Sequence, residues 1–320
     1  MTPLDWCYIQ LTRRIYGPVY STYVLLRYNG QNFLSQYADG ILGMGRALDE
    51  NAFLNTLVKA KAIHRAAFAT CLTRHGGTLS LGGSGLARRP SGTTGGGAQQ
   101  QQQLQYHLEP MQFTNLQKAG NGLYAAQIMK VYVGDICITC GDNAHHVLAK
   151  RAFQSGKGGL LDTGTTDTFF PRQALPPFQA AWEKLVGIPM QEVERYSYED
   201  FRRIPDITVV FEPNTKLVIP SSSYMEMEYL PYEQLATTTT VFNTSSFATP
   251  DVVRPWPGMR KLTMRIYCDE KSGAVLGANS LYHYDVLYDL EASRLGLARS
   301  NCGRDDIRQS SLLETGIQYT

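Results

Sequence analysis

The residues best suited to chemistry lie between Gly158 and Pro171, GGLLDTGTTDTFFP. Leu160 and Leu161 lead into Asp162-Thr163-Gly164-Thr165-Thr166, and Phe169, Phe170 and Pro171 follow. A carboxylate in a tight loop is a held and oriented acid when a glycine lets another backbone approach and hydroxyls can donate to it. Taken alone, the string also describes an ordinary Asx-type turn between a strand and a helix. Two other strings compete with it. Cys137-Ile138-Thr139-Cys140, with His145 and His146 downstream, offers soft ligands close together and could hold zinc. Structural zinc usually takes two separated ligand pairs, so the expectation is a surface hairpin turn with a local disulfide and no metal. Gly82-Gly83-Ser84-Gly85 has the glycines of a phosphate loop, yet neither the Lys-Ser/Thr pair nor the helix that should follow.

An acid on a turn is useful only if neighbouring elements fix the turn. Ala38 to Gly45 reads ADGILGMG and Gly273 to Ser280 reads GAVLGANS. In each, two aliphatics precede a glycine and a small or polar turn, a candidate internal repeat. Its members are Ile41, Leu42 and Gly43 in one copy and Val275, Leu276 and Gly277 in the other. Alternation predicts strands at TLSLGG (78–83) and IMKVYV (128–133), and a hairpin from Tyr284–Asp289 and Arg294–Ala298. Helical spacing predicts helices over 49–62 and over 175–186, where Pro176 and Pro177 open the first turn. Ser84 to Gln105, with its five-glutamine run, has almost nothing to bury and reads as a disordered surface insertion. Glu228 to Lys261 is rich in Thr, Ser and Pro and holds Asn243-Thr244-Ser245, a glycosylation acceptor if the chain meets the secretory lumen.

Composition bounds the rest. With 320 residues, 43% hydrophobic and 18% charged, the chain folds and has room for two lobes. Thirty basic against 28 acidic residues leave a net charge of +2 without a positive stripe, so no nucleic-acid partner is expected. No apolar run approaches the ~18 residues of a spanning helix. The first thirty residues carry Asp5, Arg13, Arg14 and Arg27 where a signal peptide would have an apolar core. Six cysteines fit up to three disulfides in a secreted protein or six idle thiols in a cytosolic one. Nineteen tyrosines, twelve phenylalanines and 29 glycines favour short strands and turns, hence a mostly β fold.

In chain order these motifs resemble the pepsin-like aspartic proteases, whose signature is two D-[TS]-G-[TS] loops, each braced by a hydrophobic-hydrophobic-glycine strand. DGILGMG resembles the N-lobe brace, LLDTGTT the C-lobe catalytic loop, and AVLGANSLYHYDVLYDLEASRLGLARSNC the C-terminal brace and closing hairpin. FATCL (68–72), PDITVVFEP and LVIP match further family strands. The resemblance implies a mostly β, bilobal fold with an incomplete N-terminal lobe. Residues 1–122 would be that partial lobe, 123–305 the C-terminal lobe and 306–320 a tail. It implies an aspartic endopeptidase in which Asp162 activates water, Thr163 and Thr165 are bracing hydroxyls, and Gly164 permits the close loop contact. No cofactor or metal is implied, and the partner is a peptide or protein substrate in the interlobe cleft of a monomer. The cysteine placement resembles the plant-type and apicomplexan secretory branches, which implies a Cys71–Cys302 disulfide and a secretory, endomembrane or extracellular location.

The sequence departs from this pattern at one place. No D-[TS]-G precedes ADGILGMG: Asp162 stands 115 residues before Gly277, whereas Gly43 has only 42 residues before it. Asp5, Asp39 and Asp49 lack the Thr-Gly context, and Tyr8 and Tyr16 lack the Gly-Ser context of the family's flap tyrosine. The expectation is that Met1 is not the biological start. The alternative is a catalytically inactive pepsin-like chain that binds peptides or a partner. A homodimer pairing two copies of Asp162 is disfavoured, because the chain already carries two different braces.

Overall fold

Aromatic and β-branched residues alternating with polar ones make strand the commonest regular element among the described residues, and glycine turns set the strand ends. The computed structural model describes residues 6–13, 17–24, 42–45, 52–74, 76–83, 107–117, 122–187, 190, 193–196, 198–229 and 260–302. Asp5, Tyr16, Asp39, Ile41, Asp49, the 84–105 insertion, Asn243 to Ser245 and the 306–320 tail lie outside them. The chain divides into two units, Met1–Tyr124 with His283–Thr320, and Ala125–Tyr282.

In the first unit, β1 (Trp6–Arg13) and β2 (Gly17–Val24) pair antiparallel, with Tyr8 opposite Thr22. The helix expected over 49–62 is the shorter α1 (Phe53–Lys59), which buries Phe53, Leu54 and Leu57. β3 (Ala67–Thr73) and β4 (Gly76–Leu81) form the hairpin of FATCL and TLSL, and β5 (Gln112–Asn115) follows the insertion.

The second unit opens with β6 (Ala125–Ala126), β7 (Ile128–Val133) and β8 (Ile136–Cys137), then α2 (Ala144–Gln154), β9 (Gly159–Leu161) and β10 (Thr168–Pro171). α3 (Leu175–Val186) matches its expected bounds. Gly187, at φ 76°, ends it in the left-handed conformation and donates its N–H to the Glu183 carbonyl. Then come β11 (Val193–Tyr196), α4 (Tyr198–Arg203), β12 (Ile207–Phe211) and β13 (Thr215–Ile219). The unit closes with α5 (Ser221–Tyr224), β14 (Met225–Tyr229), β15 (Arg260–Met264), β16 (Ile266–Glu270), β17 (Ala274–Leu276) and α6 (Ala278–Leu281). Its sheets run β16-β10-β17-β9-β6, β13-β12-β7-β8 and β11-β15-β14. Behind the first of these, Phe170 meets Phe153 and Phe178 edge-on, and Phe178 stacks on Trp182 of α3.

β18 (Tyr284–Asp289) and β19 (Arg294–Arg299) are the expected closing hairpin. Grouped from the sequence with residues 123–305, this hairpin instead joins the first unit, where the strand order is β4-β3-β18-β19-β5. The reason is a pairing of distant segments, Tyr288 with Phe68, that no local period announces. Phe68 stacks on Tyr288 at 4.4 Å and Tyr124 meets both rings edge-on, so three aromatics seal the join. Cys71 and Cys302 are bonded, with Cα atoms 5.1 Å apart, the pairing the resemblance implied.

Asp289 ends β18 fully buried and accepts from the Ala292 N–H at 3.1 Å, from Arg65 at 2.6 Å and from Arg294 at 3.1 Å. Burial alone would raise its carboxyl. The Ala292 N–H and the Arg294 and Arg65 guanidiniums together hold it below the usual carboxylate range. A folded value below the unfolded one, about 3.9, means that the stabilisation is present above that pH and is lost as pH falls through the folded value. Urea unfolding at neutral and acidic pH should therefore show Asp289→Asn less stable at neutral pH and less weakened by acid than the parent chain. Parallel acid dependence in the two proteins would contradict this.

Candidate active site

β9 brings Leu160 and Leu161 into the Asp162 loop, and β10 leaves it through Thr168, Phe169 and Phe170. β17 lies between these two strands, parallel to β9 (Leu276 with Leu161) and antiparallel to β10 (Phe169 with Val275). The chain must therefore pass over the C-terminal end of β17, and Asp162 stands where that crossing begins. The brace holds it with backbone bonds. The Asp162 N–H donates to the Leu276 carbonyl at 3.0 Å, and the Ala278 and Asn279 N–H groups donate to the carbonyls of Thr165 at 2.7 Å and Thr166 at 3.1 Å. Leu276 is fully buried. Gly277 has φ −74°, open to any residue, so its need for glycine is one of space. A Cβ there would overlap the Asp167 carbonyl oxygen and lie 2.7 Å from that of Thr165.

The half-buried Asp162 carboxylate is fixed from within its own loop. The Gly164 N–H donates to Oδ1 at 2.9 Å and the Thr165 hydroxyl to Oδ2 at 2.7 Å, so both oxygens are oriented. Thr163, grouped with Thr165 from the sequence as a bracing hydroxyl, is exposed and makes no bond to Asp162 among the described residues. The i to i+3 step of Thr165 reaches back across the turn; the adjacent Thr163 does not. A cavity of about 400 Å³, lined by Thr165, Phe169, Val275 and Asp269 to Lys271, adjoins the loop.

The sequence does not announce what lies beneath. Thr168, Asn279 and Ser280 are buried; the Thr168 hydroxyl donates to Asn279 Oδ1 at 2.7 Å and touches the Ser280 hydroxyl. Asn279 Nδ2 donates to the Arg265 carbonyl at 2.9 Å. The polar pair Asn279-Ser280, one residue beyond the aliphatic brace, is the signal that could have revealed this network.

In the other copy of the repeat, Leu42 is half-buried and Gly43 is exposed. A Cβ at Gly43 would meet no described atom within 4 Å, unlike one at Gly277. The segment is tied down by the Tyr124 hydroxyl, which donates to the Met44 carbonyl at 2.6 Å.

Cys137 and Cys140 are bonded to each other, but Ile138 and Thr139 between them are buried, so the turn does not lie on the surface as expected. His146 Nδ1 accepts the Gly141 N–H at 3.0 Å, and the His146 N–H is capped by Asn143 at the start of α2, a helix the sequence reading missed. Among the described residues no group of three or more His, Cys, Asp or Glu is placed to hold a metal. Among the described residues Cys268 is unbonded, and burial, with Asp269 adding to it, pushes its thiol up to about 12. It stays protonated at neutral pH and is no nucleophile.

A family model described as eukaryotic aspartyl protease matches residues 24–300, spanning both braces and the Asp162 loop. The chain belongs to this family. No curated protein matches this aspartyl protease chain. Among solved structures, the crystal structure of basic 7S globulin from soybean is similar, with a TM-score of 0.51 and 15% identity over 88% of this chain. At that identity the likeness shows the mostly β pepsin-like fold alone. The chain spans about 64% of the globulin's length. No described helix is long and apolar enough to cross a membrane.

Proposed function

We propose that Asp162 is one of the two carboxylates with which an aspartic endopeptidase of the secretory pathway hydrolyses peptide bonds. The observation that carries this reading is the Asp162 carboxylate held on both oxygens, in a loop clamped by Leu276 and Gly277. In aspartic proteases two such carboxylates in contact share one proton, because like charges that close cannot both ionise. The ionised member draws a proton from water as it attacks the scissile carbonyl, and the protonated member polarises that carbonyl. Thr165 and Gly164 keep the plane of Asp162 fixed while the proton moves. The disulfides Cys71–Cys302 and Cys137–Cys140 support an oxidising compartment. A peptide extended over the Asp162 loop is the substrate this reading implies.

D-[TS]-G occurs once in the 320 residues. Incubated with an unstructured protein at acidic or neutral pH, the purified chain should show no pepstatin-sensitive cleavage. Cleavage abolished by Asp162→Ala would show that a partner carboxylate lies within these residues, and Asp5→Asn would test the first candidate. A longer form carrying a second D-[TS]-G should cleave at acidic pH and lose that activity with Asp162→Asn; retained activity would overturn the role of Asp162. The single D-T-G also favours a second reading, a chain that binds extended peptides without cutting them. Peptides recovered intact from it, with the longer reading frame lacking a second loop, would establish that reading.

A further inference from the structure

Arg265 is the single residue between β15 and β16, where the chain leaves the three-stranded sheet and enters the sheet of the Asp162 loop. Its N–H donates to the Tyr224 carbonyl at 2.7 Å. Its own carbonyl accepts the Thr168 N–H at 3.1 Å and Asn279 Nδ2 at 2.9 Å. Its guanidinium lies among three groups. Nε donates to Glu226 at 2.6 Å, and Nη2 reaches the same carboxylate. Nη1 lies 3.3 Å from the Tyr267 hydroxyl and 3.9 Å from Asp167 Oδ2. Asp167 is the loop residue whose carbonyl is wedged against Gly277.

We propose that Arg265 is a positioning residue for the Asp162 loop, aimed by Glu226 and holding the exit of the loop through Asp167 and Thr168. The carboxylates of Glu226 and Asp167 are 41% and 22% exposed, and ion pairs this open contribute little to global stability. What the arrangement constrains is local. With Gly277 closing on the Asp167 carbonyl and Arg265 on its carboxylate, the second half of the loop has two fixed points. Lysine would not replace this, because one ammonium cannot span Glu226, Tyr267 and Asp167 as a planar fork does. The proposal deepens the reading of Asp162 as a catalytic group and rests on it.

The test is residue-resolved hydrogen exchange on the 320-residue chain, which reads the loop without any cleavage assay and so can fail while the role of Asp162 stands. In Arg265→Gln, the amides of Asp162, Ala278 and Asn279 should exchange about tenfold faster, while that of Ile138, bonded to the Val131 carbonyl, stays within about twofold. Asp167→Asn should reproduce the pattern, and the double variant should be no faster than Arg265→Gln alone, as for residues acting through one contact. Arg265→Lys should not rescue. Three results would overturn the proposal: unchanged loop amides, uniform acceleration that includes Ile138, or rate effects that multiply in the double variant.

Discussion

Alanine at position 277 should dislodge the Asp162 loop and cost about 3 kcal/mol or more, the upper range for a methyl forced into packed surroundings. The atoms in its way are the carbonyls of Asp167 and Thr165, which cannot rotate aside as a side chain would. Because φ at Gly277 is −74°, no backbone strain confounds the measurement. Gly43→Ala is the matched comparison at the corresponding brace position, where an added Cβ meets no described atom within 4 Å. Urea unfolding of both variants, with amide shifts of Gly164 and Thr165 as a local reporter, decides the matter. Equal effects at the two glycines would remove the case that Gly277 clamps the loop by close approach.

Leu276→Ala should cost about 2–5 kcal/mol through the cavity it leaves, since the side chain is fully buried. The variant keeps the backbone carbonyl that accepts the Asp162 N–H, so the loss is one of packing with the loop bond retained. Denaturant unfolding measures the first. Persistent protection of the Asp162 amide measures the second. A variant within about 0.5 kcal/mol of the parent would mean that the brace does not anchor the loop through its side chain.

Local signals were legible wherever one segment determines its own structure. IMKVYV alternates and is β7; the prolines at 176 and 177 open α3 and Gly187 ends it. D-T-G-T read as a held acid, and its glycine and second threonine hold it. Illegible were features that depend on remote partners. Nothing near Tyr288 announces Phe68, so the sequence alone places the closing hairpin with the residues before it, whereas it pairs in the first unit. Nothing near Arg265 announces Asp167. α2 was hidden for a different reason: Cys137, Cys140 and the two histidines invited a metal reading, while its buried stripe, Ala149, Ala152 and Phe153, is short and weakly apolar.

The bond between Cys71 and Cys302 spans 231 residues of sequence, and every residue of the second unit lies inside the ring it closes. Tension applied to the two ends of the chain would run along β3, cross the sulfur bridge and leave at position 302. Residues 72–301 would lie off the covalent load path, and roughly 80 nm of contour would stay coiled behind the bridge. The Asp162 loop thus stays out of the covalent line of force while the bridge is intact and joins that line when the bridge is reduced.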